Sequence, residues 1–557
     1  MKKSVTVLLL CSLLCLLLPQ PAAAAGSYNP TYKIGLYYSS AALAAANLQN
    51  YSGGALGFSV GYWDASRSFV ALYELPNNNQ LTILKDRDMW VTSGGVYYDM
   101  LPSSYTYVIG SIHWQVDTLY TTAAEADAVV QTVRALGYRA FPVCVQNGFR
   151  VRIGAYLSAA LANADFAALT AATGLTLVLR EASSTGYLVT VTGTDEILCA
   201  FDYLGQPLGI RPYGELTWFK QHKYYGGFEY NRVSGNNMNV INVVDLDHYV
   251  RGVVPEEVSA SWPAEALKAE AICAKCYAYN VSLNSRHKSA GFDLCNTDDC
   301  QVYGGANKST AATDAAVDAV SGIYVTYGGK VCQTYYHSTS GGFTEDAKNI
   351  WGTDIPYLKA VEDTYLTVFN PYTYTLTIDQ ISTILQDKNF ASKQVVDIYV
   401  SRYSAVGNAL TLTFVESDGT VHNLSGEYAR TALNYTKFSS GVIRVGSHHY
   451  TITRNGTLYV NDAKLGQGLT ESYAIGAGGT VSKVTVGSSQ LQVMTGSGLQ
   501  TADAAGSGDT YTIKGTGMGH NIGMSQWGAY AMAKRGFTYD EIIKFYFTGV
   551  TVGPYEP

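Results

Sequence analysis

Three stretches near the start of the chain alternate apolar and polar positions with a period of two. They are Tyr32–Tyr38, Phe58–Trp63 and Phe69–Tyr73, and they are rich in tyrosine and valine. This period places successive side chains on opposite faces of an extended backbone, so each stretch predicts a strand. Asn77–Asn79 interrupts the pattern. We therefore expect residues 26–104 to form a β-rich N-terminal segment.

Residues 105–185 have a different rhythm, in which strand and helix patterns alternate. Apolar residues recur at helical spacing within Ala123–Leu136, and Gly137 follows where the end of a helix favours a residue with positive φ. Asn147-Gly148 is a strong hairpin signal between two strand patterns. The predicted order is β-α-β-β-α-β, with elements at Tyr107–Ile112, Ala123–Leu136, Phe141–Val145, Phe149–Ile153, Leu161–Thr173 and Thr176–Arg180.

A third pattern predicts a long helix with one face of small residues. Alanine and leucine recur at steps of three and four from Ala264 to Ala278, which allows close packing against another helix. Pro263 is tolerated in the first helical turn, and Ser259 or Ser261 is expected to cap it. This helix belongs to the block 207–375, which contains most of the candidate chemistry.

Two glutamates stand immediately before that helix. Glu256 and Glu257 are predicted to lie in a connecting segment, between apolar Val253-Val254 and Trp262. Apolar surroundings disfavour a charged carboxylate and raise its pKa, so such an acid donates a proton near neutral pH. The alternative from residue type alone is that both glutamates are first-turn acids that complement the helix dipole.

The C-terminal third returns to strand patterns and then to helices. Strands are predicted at Val395–Val400 and Leu410–Phe414, followed by a helix at Glu427–Leu433, and residues 463–510 are predicted to form strands linked by turns or a partly mobile insertion. Two further helices follow: Ser525 caps one that runs to Lys534, and Thr538 with Glu541 forms a capping box for Tyr539–Phe547. We expect a β-rich insertion at 376–510 and a C-terminal block at 511–557.

Composition excludes several classes of protein. The chain has 557 residues, of which 47% are hydrophobic and 15% charged, so it is not mainly disordered. Its formal net charge is −7, without a basic block, which argues against a nucleic-acid partner because phosphate contacts need lysine and arginine. The 44 tyrosines and 55 glycines fit a neutral, hydroxyl-rich ligand such as a glycan better.

Residues 1–25 resemble an export signal. Lys2 and Lys3 precede the apolar run Val5–Leu18, and Ala22–Ala25 supplies small residues for cleavage. The run is shorter than the ~20 residues that a membrane-spanning helix needs. We expect a secreted, extracytoplasmic protein, in which an uncleaved leader would serve as an N-terminal membrane anchor.

Three residues of another segment have the chemistry of metal ligands. His287, Cys295 and Cys300 lie within 14 positions and supply three donors for a tetrahedral zinc ion. Seven cysteines lie outside the leader, and this odd number argues against a complete set of disulfides. A Cys295–Cys300 disulfide is nevertheless the alternative, because an exported protein meets oxidising conditions.

Polar residues of two further motifs are candidates for substrate binding. Glycines at 515, 517, 519 and 523 would let the backbone approach a sugar closely, and the loop lacks the ending of a phosphate-binding loop. His520 and Gln526 within this motif, and Ser338 and Ser340 in the other, are candidates to hydrogen-bond sugar hydroxyl or N-acetyl groups. A structural role in a tight turn is the alternative for all of them except Gln526.

Taken together, three motifs resemble the SpoIID/LytB family, which includes the stage II sporulation protein D lytic transglycosylases and the amidase-enhancer proteins. The motifs are Tyr249–Ala271, His337–Gly342 and Gly515–Ala529, and the resemblance covers about 215–375 and 510–552. It implies that Glu257 is the catalytic acid. It also implies a zinc ion near the active site, with Asp299 or water as a fourth ligand beside His287, Cys295 and Cys300.

The segment 105–185 resembles a second family, the SPOR repeats, through Tyr107–Ser111 and Phe149–Tyr156. That resemblance implies a ferredoxin-like domain that binds peptidoglycan glycan strands without peptides. An unrelated ferredoxin-like unit is the alternative. The expected fold is therefore multidomain α+β, with a SpoIID-like core built from 207–375 and 511–557.

The two resemblances together predict a lytic transglycosylase that cleaves denuded glycan and leaves 1,6-anhydro-N-acetylmuramoyl ends. Such a reaction needs one acid, because the muramoyl 6-hydroxyl replaces the water that a hydrolase activates with a second carboxylate. The expected setting is cell-wall remodelling, including sporulation, in partnership with an N-acetylmuramoyl-L-alanine amidase. The alternatives are a non-catalytic glycan-binding amidase enhancer and zinc-dependent hydrolysis by His287, Cys295 and Cys300.

Overall fold

The computed structural model describes residues 28–51, 54–233, 237–455 and 510–557, together with the backbone of six strands between Leu458 and Thr501. The predicted leader, residues 1–25, lies outside the described residues. Within 463–510 the described backbone forms strands, and the turns predicted between them also lie outside the described residues.

The described chain is a mixture of helices and several sheets, in keeping with an α+β fold. The helices are α1 Ala123–Ala135, α2 Ala159–Thr173, α3 Leu246–Glu257, α4 Ala264–Leu283, α5 Ala311–Ala319, α6 Ala347–Trp351, α7 Ile378–Asp387, α8 Glu427–Thr431, α9 Gln526–Lys534 and α10 Tyr539–Tyr546. None of these helices is long and apolar enough to cross a lipid bilayer, a statement that covers the described residues alone.

The strands are numbered in chain order. The first twenty are β1 Thr31–Tyr37, β2 Ala45–Asn50, β3 Gly57–Trp63, β4 Phe69–Pro76, β5 Gln80–Lys85, β6 Met89–Val91, β7 Tyr97–Tyr98, β8 Tyr107–Ile109, β9 Ile112–Val116, β10 Ala140–Val145, β11 Gly148–Tyr156, β12 Leu177–Arg180, β13 Tyr187–Val191, β14 Ile197–Asp202, β15 Leu208–Pro212, β16 Leu216–Phe219, β17 His222–Tyr225, β18 Gly227–Arg232, β19 Met238–Asp245 and β20 Leu294–Cys295. The others are β21 Ile323–Tyr327, β22 Lys330–Val331, β23 Tyr336–His337, β24 Tyr372–Thr377, β25 Val395–Tyr403, β26 Ala409–Glu416, β27 Val421–Ser425, β28 Tyr450–Arg454, β29 Leu458–Val460, β30 Ala463–Leu465, β31 Ser472–Ile475, β32 Val481–Val484, β33 Gln492–Thr495, β34 Gly498–Thr501, β35 Thr510–Gly515, β36 Met524–Ser525 and β37 Thr551–Pro554.

The predicted β-α-β-β-α-β order is present between β9 and β12. Its four strands lie side by side in the order β12-β9-β11-β10, with antiparallel pairing throughout. Local signals explain the elements: Thr122 and Glu125 form a capping box at α1, and Asn147 adopts φ 68° at the hairpin turn. The identity of this unit as a SPOR-type domain stays a prediction.

The predicted first strand of that unit, Tyr107–Ile112, is divided in the structure. β8 joins β6 and β7 in a small sheet, whereas β9 enters the large one. The break falls at Gly110, where an added Cβ would lie 2.1 Å from the backbone carbon of Tyr156. Asp88 fixes the bend by accepting hydrogen bonds from both the backbone N–H and the hydroxyl of Ser111. A close backbone approach therefore divides what the pattern predicts as one strand.

This four-stranded unit is one part of a larger sheet. β10 also pairs, in parallel, with β14, and the sheet continues through β13, β5, β2, β16 and β17. A second sheet has the order β20-β1-β19-β18-β15-β3-β4. Strands from the predicted N-terminal segment 26–104 thus enter both sheets. Each sheet therefore combines strands from both sides of the domain boundaries expected near residues 104 and 185.

The helical core lies around α4. Most of its residues are buried, and α3, α5, α9 and α10 all pack against it. The small-residue face predicts this burial correctly, but the predicted serine cap is wrong. Pro263 occupies the cap position without a side-chain bond, while the Ser259 and Ser261 hydroxyls bond one another at 2.9 Å.

The predicted insertion has its own hydrophobic core. Buried residues of α7, β25, β26 and α8 pack together with β24 and β35, which close the unit as an antiparallel pair. The predicted strands and helix of this segment are confirmed as β25, β26 and α8. Because β35 continues directly into the glycine-rich motif, the insertion holds the start of the C-terminal block.

Gly528 in α9 tests how tightly the helical core is packed. An added Cβ there would lie 1.8 Å from the Tyr546 hydroxyl and 2.7 Å from the Asp363 carboxylate, which bond each other at 2.9 Å. Gly528→Ala is expected to lower the free energy of unfolding by about 1–3 kcal/mol, measured by denaturant titration. The control Gly553→Ala meets no atom within 4 Å, and its effect should stay below about 1 kcal/mol. Equal stability of the two variants would contradict this packing.

Candidate active site

Glu257 is the last residue of α3. Asp245 begins this helix, since its carboxylate accepts a hydrogen bond from the His248 N–H at 3.1 Å, and the chain becomes extended at Val258. The prediction that Glu257 lies in a connecting segment is therefore wrong, and so is its interpretation as a first-turn acid. The helix continues through Pro255, a residue that normally argues for a break.

Glu256 and Glu257 have different surroundings. The Glu256 carboxylate accepts a hydrogen bond from the Lys308 ammonium at 2.5 Å and lies against Gly304, where an added Cβ would be 2.2 Å from its Oε1. Glu257 instead lines a cavity of about 470 Å³. Of these two adjacent residues at the end of α3, Glu256 forms an ion pair with Lys308 and Glu257 lines the cavity.

Two short parallel strands bring Ser338 and Gln526 to this cavity. β23 pairs with β36, which places His337 beside Ser525. The backbone N–H of Trp527 donates a hydrogen bond to the backbone carbonyl of Ser338 at 3.0 Å. Ser338 and Gln526 follow directly on these strands and therefore reach the cavity together. The lining consists of Glu257, Val258, Ser259, Ser261, Trp262, Ser338, Gln526, Trp527 and Tyr530.

Three partly exposed aromatic rings form one wall of the cavity. The ring centroids of Trp262, Trp527 and Tyr530 lie 5.1, 5.2 and 5.3 Å from one another. Aromatic faces of this kind provide apolar contact area, and the tryptophan N–H and tyrosine O–H add polar groups at the edge. The sequence analysis did not single out these rings as a group, because Trp262 is separated by more than 250 positions from the other two.

The surroundings of Glu257 favour proton exchange. Burial raises the pKa of the Glu257 carboxyl, and the charge of Glu256 acts in the same direction. Hydrogen bonds from Gln526 and Tyr336 oppose the shift, because they stabilise the charged form. The carboxyl is therefore biased toward the acid, while donors are in place for the carboxylate that forms when the proton leaves.

A chain of hydrogen bonds orients Tyr336. The Tyr249 hydroxyl donates to Gln301 Oε1 at 3.2 Å, and Gln301 Nε2 donates to the Tyr336 hydroxyl oxygen at 2.8 Å. The Tyr336 hydroxyl, which this chain holds in place, lowers the pKa of Glu257. Gln301 follows Cys300 directly, so the candidate metal loop and the candidate acid are joined through two side chains.

Glu270 on α4 is a second acid of this site that the sequence analysis missed. It is 1% exposed, its Oε1 accepts a hydrogen bond from Gln526 Nε2 at 3.1 Å, and its Oε2 has no partner among the described residues. Burial, and then the charge of Glu257, raise the pKa of Glu270 to about 8. A signal was present: Glu270 lies three positions after Leu267 and four before Ala274, on the small-residue face.

Two of the four predicted substrate-binding residues do not line the cavity. Ser340 is fully buried and its hydroxyl donates to Asp363 at 2.7 Å. His520 Nδ1 accepts a hydrogen bond from the Ile522 N–H at 3.0 Å, and burial lowers the pKa of its imidazole to about 4. Ser338 and Gln526 are the two that the structure brings to Glu257.

The glycine-rich motif folds against its own chain. An added Cβ at Gly519 would lie 2.6 Å from the Cβ of His337, and one at Gly523 would lie 2.1 Å from the Tyr335 carbonyl oxygen. Both glycines have positive φ, 120° and 73°. The glycines thus allow the β23–β36 contact, whereas the sequence analysis expected them to approach a sugar.

The predicted metal ligands converge. Donor atoms of His287, Cys295, Asp299 and Cys300 all lie within 4.8 Å of one another. His287 Nε2 is 3.4 Å from Cys300 Sγ and 3.5 Å from an Asp299 oxygen, and Cys295 Sγ is 3.8 Å from the same carboxylate. Donors about 2.0–2.3 Å from a tetrahedral zinc ion have separations of this size.

The two cysteines of the cluster are free thiols in the structure. The two thiols share a hydrogen bond that lowers the pKa of Cys295 and raises that of Cys300, so Cys295 is the one favoured as a thiolate. A thiolate is the form in which cysteine binds zinc. The donor set and its geometry therefore fit a zinc ion.

Comparison with known proteins gives an independent result for this region. A sequence model described as SpoIID, stage II sporulation protein, matches residues 234–327, which contain α3, α4 and the metal cluster. The amidase enhancer of Bacillus subtilis is 30% identical over 312 residues, which are 55% of this chain and 40% of that protein. Stage II sporulation protein D of the same organism is 27% identical over 333 residues, 57% of this chain and 76% of that protein.

An uncharacterised protein of Brachyspira hyodysenteriae is also similar, with 29% identity over 336 residues, 60% of this chain and 73% of that protein. The chain thus spans less than half the length of the amidase enhancer and about three quarters of the other two relatives. These matches support the SpoIID family resemblance that the three motifs predict. The SPOR-type domain at 105–185 stays a prediction.

The role of Tyr336 is testable by titration. Tyr336→Phe removes a hydroxyl that holds the pKa of Glu257 down, so this pKa should rise. Carboxyl carbon NMR, assigned with Glu257→Gln, measures this pKa. Tyr530→Phe changes a tyrosine of the cavity wall that does not shift the pKa of Glu257, and it should leave that pKa unchanged. A fall in the pKa of Glu257 in Tyr336→Phe would contradict the assignment.

Proposed function

We propose that this chain is a SpoIID-type lytic transglycosylase that cleaves peptidoglycan glycan strands with Glu257 as its acid. The observation that carries the proposal is a single carboxyl, biased toward the acid, in a cavity whose other described lining residues are uncharged. Sugars are neutral, hydroxyl-rich rings, and serine, glutamine and aromatic side chains suit them. The similarity to relatives named stage II sporulation protein D supports the same class.

The reaction requires one proton to move twice. Glu257 donates its proton to the oxygen that links C1 of N-acetylmuramic acid to the next sugar, and that C1–O bond breaks as C1 acquires oxocarbenium character. The muramoyl 6-hydroxyl oxygen then bonds to C1 and closes the 1,6-anhydro ring. Its proton returns to the Glu257 carboxylate, which Gln526 and Tyr336 stabilise in the interval. No water enters the products, and the acid is restored.

The unit at 105–185 is proposed to hold the same polymer. A cavity of about 520 Å³ on its sheet includes Gln115, Gln146 and the arginines 150, 152 and 180 in its lining, together with Glu181 and, from beyond the unit, Asp202. Amidase cleavage leaves a free lactyl carboxylate on each denuded muramic acid, and arginine is suited to bind that group. Two sites on one strand would raise the local concentration of glycan at the catalytic cavity.

The proposed setting is the cell wall, outside the cytoplasmic membrane, after an N-acetylmuramoyl-L-alanine amidase has removed the peptides. The export-signal pattern at residues 1–25 and the printed names of the relatives support this setting, with sporulation as one occasion for it. The leader itself is predicted from the sequence alone.

Glu257→Gln is the direct test. The amide cannot donate the proton, so release of 1,6-anhydromuramoyl products from amidase-treated cell wall should fall by about 10²–10⁴-fold, measured by mass spectrometry of the products. Glu256→Gln is the matched control, because its carboxylate pairs with Lys308 outside the cavity, and it should keep most of the activity. Full activity of Glu257→Gln would refute the proposal.

A second candidate function comes from the relative named amidase enhancer. In that case the chain binds denuded strands and stimulates an amidase without breaking glycosidic bonds. Wild type would then release no anhydro products, and Glu257→Gln would stimulate the amidase as well as wild type does. The same pair of variants therefore separates a lyase from an enhancer.

We further propose that His287, Cys295, Cys300 and Asp299 hold a zinc ion. A bound zinc ion would supply a cross-link between His287, in the loop after α4, and the segment 295–300 that starts in β20, and a Lewis acid where a ligand position stays open. The chain's own contribution is to hold Gln301, next to Cys300, against Tyr336. A zinc ion bound at these residues would help to orient Tyr336 through Gln301, and it would do so without contacting the sugar.

Metal removal tests this proposal. Purified protein is expected to contain one zinc ion per chain by elemental analysis, and chelation should lower its melting temperature. Cys295→Ser should lose the metal and Asp299→Asn should bind it more weakly, whereas Asp298→Asn, an exposed neighbour outside the cluster, should match wild type. A disulfide would instead appear as the loss of two titratable thiols. Complete loss of turnover on chelation, with hydrolysed ends among the products, would favour zinc-dependent hydrolysis.

A further inference from the structure

Glu270 is a buried acid for which the proposed reaction has no use. It projects from the middle of α4, it is 1% exposed, and it is absent from the lining of the cavity. One carboxylate oxygen accepts a single hydrogen bond, and the other has no partner among the described residues. A charged carboxylate in such a place would lose its hydration with little compensation. These surroundings favour the uncharged form of Glu270.

The Gln526 side chain joins this acid to Glu257. Its Nε2 donates to Glu270 Oε1 at 3.1 Å, and the same side chain lines the cavity together with Glu257, where it lowers the pKa of the Glu257 carboxyl. A side-chain amide carries two N–H donors, so one group can serve both carboxyls. Gln526 is 6% exposed and begins α9 directly after the capping residue Ser525, which restricts its position.

The groups that face Glu270 add no positive charge. Glu257 interacts with it from α3, Tyr336 from β23 and Cys273 from its own helix, and each is neutral or anionic. Gln526 from α9 is neutral. Two carboxyls that share one neutral bridge repel each other when both are ionised, so the pair loses its two protons in separate steps.

We propose that Glu257 and Glu270 form a carboxyl pair, bridged by the Gln526 amide, that retains one proton at neutral pH and so keeps Glu257 available as the acid. Glu270 is a positioning residue in this arrangement, because it acts through Gln526 and Glu257 and does not touch the sugar. The inference rests on the proposed lytic function for its kinetic consequence, and on the carboxyl pair alone for its titration.

The pair changes the pH range of the reaction. While one proton remains, its distribution between the two carboxyls does not depend on pH, so a constant fraction of molecules carries it on Glu257. That fraction disappears only when the second proton leaves, near the raised pKa of about 8. Without Glu270, protonated Glu257 disappears at the lower pKa of a single buried glutamate.

Glu270→Gln tests the pair with little change in shape. The variant keeps an acceptor for Gln526, so cleavage of denuded glycan at pH 5 should stay within about threefold of wild type. The alkaline limb of its kcat/KM profile should move to lower pH by about one unit or more, the coupling expected of an interacting pair. Glu265→Gln, at the accessible start of the same helix, should keep the wild-type profile. An unchanged alkaline limb in Glu270→Gln would overturn the proposal.

A readout without cleavage separates this inference from the proposed function. Glu270 has a folded pKa of about 8 against a usual value of 4.5, so the folded state holds an extra proton between these pH values. Raising the pH through this window should weaken wild type relative to Glu270→Gln, by up to tenfold in the unfolding equilibrium per pH unit. Carboxyl carbon NMR should show the corresponding titration.

The two kinds of failure are distinguishable. If the titration and the stability difference appear but wild type releases no anhydro products, the carboxyl pair stands and the lytic function is refuted. If wild type cleaves glycan while Glu270 titrates near its usual pKa, the pair is refuted and the lytic function stands.

Discussion

The hydrogen bond from the Gln526 amide to the buried carboxyl of Glu270, beside the half-buried Glu257, is the contact on which the candidate site depends. It joins α9 to α4 across 256 positions of sequence, and it also reaches the end of α3. The rest of the fold serves this contact. β35, held by the insertion, leads into the glycine-rich motif, whose tight packing against residues 335–337 lets β36 pair with β23 and places Gln526 at its position.

Burial, more than any particular partner, determines the charge of this site. Desolvation is the largest influence on the pKa of both Glu257 and Glu270, and it acts toward the neutral acid in each case. The two carboxyls differ in the hydrogen-bond donors that lower their pKa. Glu257 has Gln526 and Tyr336 to stabilise a carboxylate, whereas Glu270 has Gln526 alone. The charged form is therefore better stabilised at Glu257 than at Glu270.

Elements with strong local signals were predictable from the sequence. The capping box at Thr538, the turn at Asn147-Gly148 and the cap at Ser525 depend on neighbouring residues, and all of them occur in the structure. Predictions failed where distant packing overrides the local pattern. Gly110 divides a continuous strand pattern because Tyr156 lies against it, and α3 continues through Pro255 to include Glu257.

The sequence by itself determined the chemical groups: a glutamate at the end of an apolar stretch, a cluster of cysteines, histidine and aspartate, and the motifs that resemble one family. These are properties of residue type and short spacing. The tertiary structure decided which groups meet. It brought Ser338 and three aromatic rings to Glu257, kept Ser340 and His520 in their own loops, and placed Glu270 beside the site. The reason is physical, since desolvation and hydrogen bonding depend on atoms a few ångströms away, and chain segments hundreds of positions apart supply those atoms.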